Sequence, residues 1–168
     1  MKRLEIDVEG RTVLITGAAT GIGRATALSF APARAAVVIG DIDPRAEATA
    51  SDIVAAGGKA TFQKTDVSDN IQVQALVARA VSEFGALDVA FNNAGLLPPT
   101  APLAEQTEDD WNRIMRVDVT GVFLCLKHEL AQMAKAELEQ RAHNCQSASK
   151  SDPRSASKID PPCEGRGR

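Results

Sequence analysis

Four short apolar runs alternate with longer amphipathic stretches along the first 136 residues of the chain. The apolar runs predict strands at residues 11–16, 35–40, 59–64 and 87–91. The amphipathic stretches predict helices at residues 22–31, 44–56, 69–84 and 108–136. Continuous apolar strands of this kind are typical of an α/β fold whose parallel sheet is covered by helices on both faces. Right-handed crossovers then give the spatial strand order 3-2-1-4, with a crevice between the first and fourth strands.

The last predicted helix carries apolar residues at three- or four-residue steps. They are Trp111, Met115, Val122, Leu126, Leu130 and Met133. This spacing predicts a stripe that faces the sheet. Asp118 falls in the same row, where an unpaired carboxylate is costly to bury. The residues alone favour a carboxylate of Asp118 that reaches water or a backbone N–H near the sheet edge.

The composition changes after residue 136. From residue 142 to 168 the only large aliphatic side chain is Ile159, and Ser, Pro, Lys, Arg, Asp and Gly dominate. Such a segment buries too little apolar surface to offset the entropy lost on ordering. We therefore predict a domain at residues 1–136 and a disordered tail at residues 137–168. Codon degeneracy permits a shifted reading frame as the origin of this tail, because codons for residues 141–146 read one base later can encode Gly-Arg-Thr-Ile-Val-Asn.

A glycine-rich turn connects the first strand to the first helix. Residues 16–23 read Thr-Gly-Ala-Ala-Thr-Gly-Ile-Gly. Glycines allow a phosphate to approach the backbone closely, and a helix start offers free N–H groups and the positive end of a dipole. The turn therefore predicts a site for the pyrophosphate of a dinucleotide.

Polar motifs follow the other three strands. Asp41 ends the second strand, eighteen positions after Gly23, a spacing that suits an acidic residue on the adenosine ribose. Asp66 and Val67 follow the third strand, and Asn-Asn-Ala-Gly at residues 92–95 follows the fourth. With these motifs in this order, an ordinary glycine turn becomes the weaker interpretation of residues 16–23.

With these motifs, residues 8–134 of the chain resemble the short-chain dehydrogenase/reductase family. This family is a group of single-domain NAD(P)-dependent oxidoreductases. The resemblance implies a Rossmann-like, doubly wound parallel sheet. It also implies a set of cofactor-binding residues. These are Thr16, Gly17, Gly21, Ile22, Gly23, Asp41, Asp66, Val67, Asn92, Asn93, Ala94 and Gly95. For an intact relative it further implies a secondary alcohol or ketone as the substrate and a homo-oligomeric assembly.

The family pattern continues beyond what this sequence contains. A fifth strand with a serine should follow, and then a tyrosine with a lysine four residues later, which together move the alcohol proton. This chain has no tyrosine. We therefore expect a sheet truncated after about four strands, an inactive chain and doubtful oligomerisation. Asp118 stands where the family has a catalytic asparagine, and it is the remaining catalytic candidate. The alternatives are a non-catalytic nucleotide-binding or interaction protein, or a non-functional fragment.

The residues around the predicted site favour NAD(H) over NADP(H). Asp41 would accept hydrogen bonds from the ribose hydroxyls and repel a 2′-phosphate. Thr20, just before Gly21, stands where a basic residue could hold that phosphate. Arg24 is the opposing candidate, although it also suits a helix start beside a pyrophosphate.

Bulk properties exclude several other classes of function. The net charge of −3 and the sequence pI of about 5.4 argue against nucleic acid and anionic membranes as partners. The apolar runs are strand-sized, and the N-terminus lacks the apolar core of a signal peptide. Cys125, Cys145 and Cys163 form an odd set without metal-ligand spacing, which fits a reducing compartment. We therefore expect a cytoplasmic protein without a metal site.

Overall fold

A computed structural model describes residues 7–97 and 99–151 of the chain. Its four strands form one parallel sheet in the order β3-β2-β1-β4. The strands are β1 (Thr12–Thr16), β2 (Ala36–Asp41), β3 (Lys59–Lys64) and β4 (Val89–Asn92). The predicted α/β class and strand order are confirmed, and each strand begins and ends within two residues of its predicted bounds.

Helices cover both faces of this sheet. They are α1 (Gly21–Phe30), α2 (Ala46–Ala55), α3 (Asn70–Phe84), α4 (Glu108–Ile114) and α5 (Val122–Ser151). A short 3-10 turn spans Leu103–Glu105, and a π-helical segment, Met115–Gly121, joins α4 to α5. In the described ranges, no helix is both long and apolar enough to cross a membrane.

The two faces of β1 bury different sets of side chains, because successive residues of a strand point to opposite sides. Val13 and Ile15 belong to a core cluster with Ala27 of α1 and Ile53 of α2. Leu14 belongs to the opposite cluster, with α3 residues such as Leu76. All residues of β1 and β2 are buried, which explains their unbroken apolar pattern. The result is a doubly wound sheet whose strands all end at the same edge.

The predicted inward stripe of the last helix is partly wrong. Trp111, Leu126 and Leu130 are exposed, and the buried row instead contains Cys125 and Glu129. The physical reason is the π-helical segment between α4 and α5. A π-turn contains more residues than an α-turn, so the 3.6-residue period cannot be extended across it. The side chains after the segment therefore face directions that the period does not predict.

Helix α5 continues to Ser151, beyond the predicted end at residue 136. Residues 135–151 contain no glycine or proline, and two i,i+4 ion pairs support this stretch. Lys135 pairs with Glu139 at 3.9 Å, and Glu137 pairs with Arg141 at 2.6 Å. The rest of the predicted disordered tail, residues 152–168, lies outside the described residues. The chain divides into two compact units, Met1–Met133, which contains the sheet, and Ala134–Arg168.

Candidate functional site

A cleft of about 530 Å³ opens at the edge of the sheet where the strands end. Several predicted cofactor-binding residues line it together, namely Gly17, Asp41, Asp66, Val67, Ala94 and Gly95. Other lining residues lie between or beside the motifs and were not predicted. They are Ala19, Thr20, Ile42, Asp43, Thr65, Ser68, Leu96, Arg113, Arg116 and Val117. The cleft thus combines the ends of all four strands with the start of the last helical region.

The glycine turn has the backbone geometry that its sequence requires. Gly17 has φ +72°, and a Cβ there would lie 2.7 Å from Ala94 Cα. Gly21 has φ +56°, and a Cβ on it would point into open space. A Cβ on Gly23 would lie 2.1 Å from the Gly17 carbonyl oxygen. Gly17 and Gly23 are therefore needed for close packing, whereas Gly21 is needed for its left-handed conformation.

The start of α1 suits an anion. Its N-cap residue, Thr20, makes no side-chain capping bond, and the first turn contains no acidic residue. The leading N–H groups of a helix have no helical acceptor and lie at the positive end of the helix dipole. The open approach at Gly21 and this uncapped helix start therefore fit a pyrophosphate.

Thr16 and Asn93 hold the floor of the cleft together. The backbone N–H groups of Asn93 and Ala94 both donate to Thr16 Oγ1 at 3.1 Å. The Asn93 side-chain amide donates to the carbonyl oxygens of Thr16 and Gly17, at 3.1 and 2.9 Å. These residues do not line the cleft, so their role is to fix the glycine turn against the end of β4.

Asp41 lies at the end of β2 and is only 9% exposed. Its Oδ2 accepts from the Ala19 N–H at 2.8 Å, and its Oδ1 accepts from the Asp43 N–H at 2.9 Å. Each carboxylate oxygen has a further lone pair, which leaves capacity to accept hydroxyl groups from the cleft. The bond to Ala19 also fixes the position of this carboxylate relative to the glycine turn.

The segment after β3 forms another wall of the cleft. Asp66 Oδ1 accepts from the Ser68 N–H at 2.9 Å and from its hydroxyl at 2.7 Å. The Thr65 N–H donates to the Asp41 carbonyl oxygen at 2.9 Å, which ties this wall to β2. The neighbouring Val67 is almost fully buried and supplies an apolar surface. This wall therefore combines hydrogen-bonded polar groups with the apolar side chain of Val67, which suits contact with a planar ring such as a nucleotide base.

Asp118 lies outside the cleft lining. Its Oδ1 accepts from the Leu96 N–H at 2.8 Å. This contact confirms the interpretation that its carboxylate reaches a backbone N–H, and it holds the loop that follows β4. No bond from another side chain accompanies it among the described contacts, and a catalytic role for Asp118 stays a prediction.

Two arginines of the last helical region border the cleft, and a third one is turned elsewhere. Arg113 and Arg116 are exposed at its rim. No motif marks these positions, and the irregular helix hides their direction from a periodicity argument. Arg24 forms an exposed ion pair with Asp52 of α2 at 2.8 Å. Arg24 is therefore already paired with a carboxylate in this structure.

A buried polar group that the sequence did not predict lies behind β4. Glu129 Oε2 accepts from Asn92 Nδ2 at 2.8 Å. Burial raises the pKa of the Glu129 carboxyl, and the bond from Asn92 offsets part of that rise. Burial, and then the neighbouring Glu129, raise the pKa of the Cys125 thiol to about 12. A glutamate in an amphipathic helix normally predicts exposure, so no sequence signal pointed to this buried group.

Comparison with known proteins gives a consistent picture. The short chain dehydrogenase family matches residues 11–141. The cis-4-hydroxycyclohexanecarboxylate dehydrogenase of Sinomonas cyclohexanicum is 48% identical over 126 residues, covering 75% of this chain and 51% of that protein. The cyclohexanol dehydrogenase of an Acinetobacter species is 39% identical over 127 residues, covering 75% of this chain and 51% of the relative.

A solved structure is similar as well. The crystal structure of a short chain dehydrogenase from Mycobacterium avium superimposes with a TM-score of 0.73 at 36% sequence identity. The match covers 78% of this chain and 51% of that one. The chain therefore spans about half the length of these relatives.

Proposed function

The chain belongs to the short-chain dehydrogenase family, and from this premise we propose that it binds a nicotinamide dinucleotide in the cleft at the end of its sheet. The observation that carries the proposal is the contact between the glycine turn and Asp41, through the Ala19 N–H at 2.8 Å. This contact holds the helix start, which would bind the pyrophosphate, next to the Asp41 carboxylate, which would accept hydrogen bonds from the ribose. The predicted residues that line the cleft keep their proposed role in cofactor binding, whereas Thr16 and Asn93 are proposed to act through the position of the glycine turn.

The proposed contacts follow the geometry. The start of α1, at Gly21 and Ile22, would hold the pyrophosphate with backbone N–H groups. Asp41 would accept from the adenosine ribose. Asp66 and Val67 would border the adenine, with Gly95 on the other side of the cleft. The nicotinamide supplies the hydride chemistry when it is bound, and the protein residues position it.

We propose that the chain prefers NAD(H) to NADP(H). The Asp41 carboxylate is buried and fixed by two backbone N–H groups, so it cannot turn away from a 2′-phosphate without losing them. Arg24, the residue that argued for NADP(H), is paired with Asp52. Arg113 and Arg116 border the cleft and are the cations that could oppose this preference.

The whole protein to which such a sequence corresponds is proposed to oxidise a secondary alcohol or reduce a ketone. The names of the two dehydrogenases above describe substrates that carry a hydroxyl on a cyclohexane ring. A ring-borne secondary alcohol is therefore the substrate class we propose. Since the chain spans about half the length of each relative, we propose this activity for a full-length protein of the family and not for the chain by itself.

For the chain of 168 residues by itself we propose that no alcohol oxidation occurs. It has no tyrosine to exchange the alcohol proton, and acid–base help of this kind contributes about 10²–10⁴ in rate. Asp118 is engaged with the Leu96 N–H and does not replace it. An absorbance assay with NAD and cyclohexanol should show no NADH formation above the buffer control, and measurable NADH would contradict this.

A second candidate is a non-catalytic nucleotide-binding protein, and a third is a non-functional fragment. Both candidates share with our proposal the expectation that the chain by itself catalyses no alcohol oxidation. Nucleotide binding separates them, because a fragment that does not fold would bind no dinucleotide. The cytoplasmic location and the absence of a metal stay predictions from the sequence.

Calorimetric titration of the chain with NAD, NADP and ADP-ribose tests the proposal. We expect NAD to bind more tightly than NADP, and ADP-ribose to bind about as tightly as NAD. Asp41→Asn should weaken NAD binding roughly tenfold or more, since hydrogen bonds to a charged acceptor contribute about 1.5–3 kcal/mol. Tighter binding of NADP than of NAD would overturn the assignment.

The matched control is Asp88→Asn. Asp88 also carries a carboxylate that accepts a backbone N–H at 2.8 Å, from Thr12 at the opposite end of β1. The two variants therefore each remove one carboxylate charge while keeping an acceptor oxygen, at opposite edges of the sheet. Asp88→Asn should leave the preference for NAD over NADP unchanged.

A further inference from the structure

Glu129 is one of the most deeply buried side chains in the molecule, at 1% exposure. One of its oxygens, Oε2, accepts from Asn92 Nδ2 at 2.8 Å. Within the described part of the chain, its other oxygen, Oε1, is buried and has no hydrogen-bond partner. The same is true of Asn92 Oδ1. Two acceptors without donors thus belong to two side chains that are already bonded to each other.

An ionised carboxylate is poorly accommodated here. A buried charge needs a counter-charge or several hydrogen bonds, and Glu129 receives one bond from a neutral amide. Among the described residues, Asn92 Oδ1 likewise receives no hydrogen, and a buried unsatisfied polar atom costs about 1–3 kcal/mol. A single additional hydrogen between the two side chains would remove both defects.

We propose that Glu129 is a neutral carboxylic acid that forms a two-bond pair with Asn92. The Asn92 Nδ2–H donates to Glu129 Oε2, and the proton on Glu129 Oε1 donates to Asn92 Oδ1. The pair then has one donor and one acceptor on each side chain, and no buried charge. The direction of the Glu129 pKa, raised by burial, agrees with this protonation.

The groups that face Glu129 leave it without a compensating charge. On α5 itself, Cys125 lies one turn before it, and its thiol pKa of about 12 keeps it neutral. From β4 it faces the uncharged Asn92. His128, the preceding residue, is engaged toward α3 by a 2.9 Å hydrogen bond with Asn70. Burial and the Asn92 bond are the causes that move the Glu129 pKa.

The pair makes Glu129 a positioning residue for the cleft. Asn92 is the last residue of β4, and the next two residues donate their N–H groups to Thr16 Oγ1. Ionisation of Glu129 would break the pair and loosen the end of β4 where it supports the glycine turn. This functional consequence depends on the proposed dinucleotide site, whereas the pair itself does not.

The sign of the pH dependence follows from the direction of the shift. A carboxyl group whose pKa is higher in the folded chain binds its proton more tightly there than in the unfolded chain. Its stabilising contribution is complete below the pKa of the unfolded chain. That contribution is lost as the pH rises from there through the raised pKa of the folded chain. The chain should therefore lose stability on the alkaline side of the usual glutamate range.

Carbon-13 NMR of the glutamate carboxyl carbons tests the pair without any nucleotide. The Glu129 signal is identified by its disappearance in Glu129→Gln. Its titration midpoint in the folded chain should lie above its midpoint in urea. A folded midpoint equal to or below the urea midpoint would overturn the proposal.

Two variants then test the positioning role. Glu129→Gln keeps one donor and one acceptor, so it should fold, bind NAD within about twofold of the parent and lose the alkaline fall in stability. Glu129→Ala leaves both groups of the Asn92 amide unpartnered, so its unfolding midpoint should fall below that of the parent wherever Glu129 of the parent is protonated. Equal behaviour of Gln and Ala would overturn the two-bond pair. If neither the parent chain nor Glu129→Gln binds NAD while the folded NMR midpoint of Glu129 is raised, the pair with Asn92 stands and the proposed function fails.

Discussion

Asn93 contacts Thr16 twice, through its backbone N–H to Thr16 Oγ1 and through its side-chain amide to the Thr16 carbonyl oxygen, both at 3.1 Å. Thr16 ends β1 and Asn93 directly follows the neighbouring strand β4, at the edge where the cleft opens. The contacts fix the glycine turn relative to the loop after β4. The hydroxyl oxygen of Thr16 is central to these contacts, because it accepts the N–H groups of both Asn93 and Ala94.

Thr16→Val should destabilise the chain strongly, whereas Thr16→Ser should not. Valine has a similar shape but no acceptor, so it leaves the N–H groups of Asn93 and Ala94 without their partner. Each such loss costs about 1–3 kcal/mol. Serine keeps the oxygen and loses one methyl group, which costs about 1 kcal/mol. Urea unfolding compares the two, and an equal loss of stability would contradict the role of Thr16 Oγ1.

Gly21→Ala and Gly57→Ala form a matched pair. Both glycines have positive φ, +56° and +86°, and a Cβ would contact nothing within 4 Å at either position. Each substitution should cost about 1–2 kcal/mol of stability from the left-handed backbone. Only Gly21 begins α1 beside the cleft, so only its replacement should also weaken NAD binding in a titration. If NAD binding is weakened in both variants, the effect comes from lost stability and not from the position of Gly21 beside the cleft.

Asp118→Asn should be nearly neutral, and Asp118→Ala should be destabilising. Either an aspartate or an asparagine oxygen can accept the Leu96 N–H, which lies 2.8 Å away. Alanine removes that acceptor and should cost about 1–3 kcal/mol. Denaturant midpoints of the two variants measure the difference. A loss as large in the asparagine variant would show that the charge of Asp118, rather than its acceptor oxygen, supports the loop.

An apolar face of α5 predicts self-association. Phe123 and Leu130 are 62% and 59% exposed, with Leu126 between them on the same side of the helix. Phe123→Lys and Leu130→Lys together should reduce association, as measured by sedimentation velocity. Ile71→Lys is the control, because Ile71 is 75% exposed but lies on α3. If the control reduces association equally, the effect comes from added charge and not from this face.

The strands and their order could be predicted from the sequence because each step depends on local signals. Apolar runs fix the strands, and the right-handed crossover rule then allows few arrangements. The location of Asp41 and Asn93 at one edge of the sheet could be predicted for the same reason, since residues at the ends of parallel strands meet there, whereas their roles toward a cofactor stay predictions. What the sequence could not supply is the contact of Asp41 with Ala19, which depends on how the turn folds back.

Which side chains of the last helix are buried could not be predicted, for two physical reasons. The π-helical segment Met115–Gly121 changes the helical phase, so Leu126 and Leu130 face solvent instead of the sheet. Glu129 takes a buried position because Asn92 offers it a hydrogen bond across sequence-distant elements. No rule based on charge or periodicity anticipates that contact.

Binding of NAD in the cleft at the end of the sheet is tested by amide chemical shifts of the nitrogen-15-labelled chain, recorded during titration with NAD. We expect saturable shifts concentrated at residues 17–23, 41–43, 65–68 and 94–96, with no comparable shifts at Gly57 and Asp88 on other parts of the sheet domain. A folded chain whose amide signals stay unchanged at saturating NAD, or change mainly outside those four segments, would contradict it.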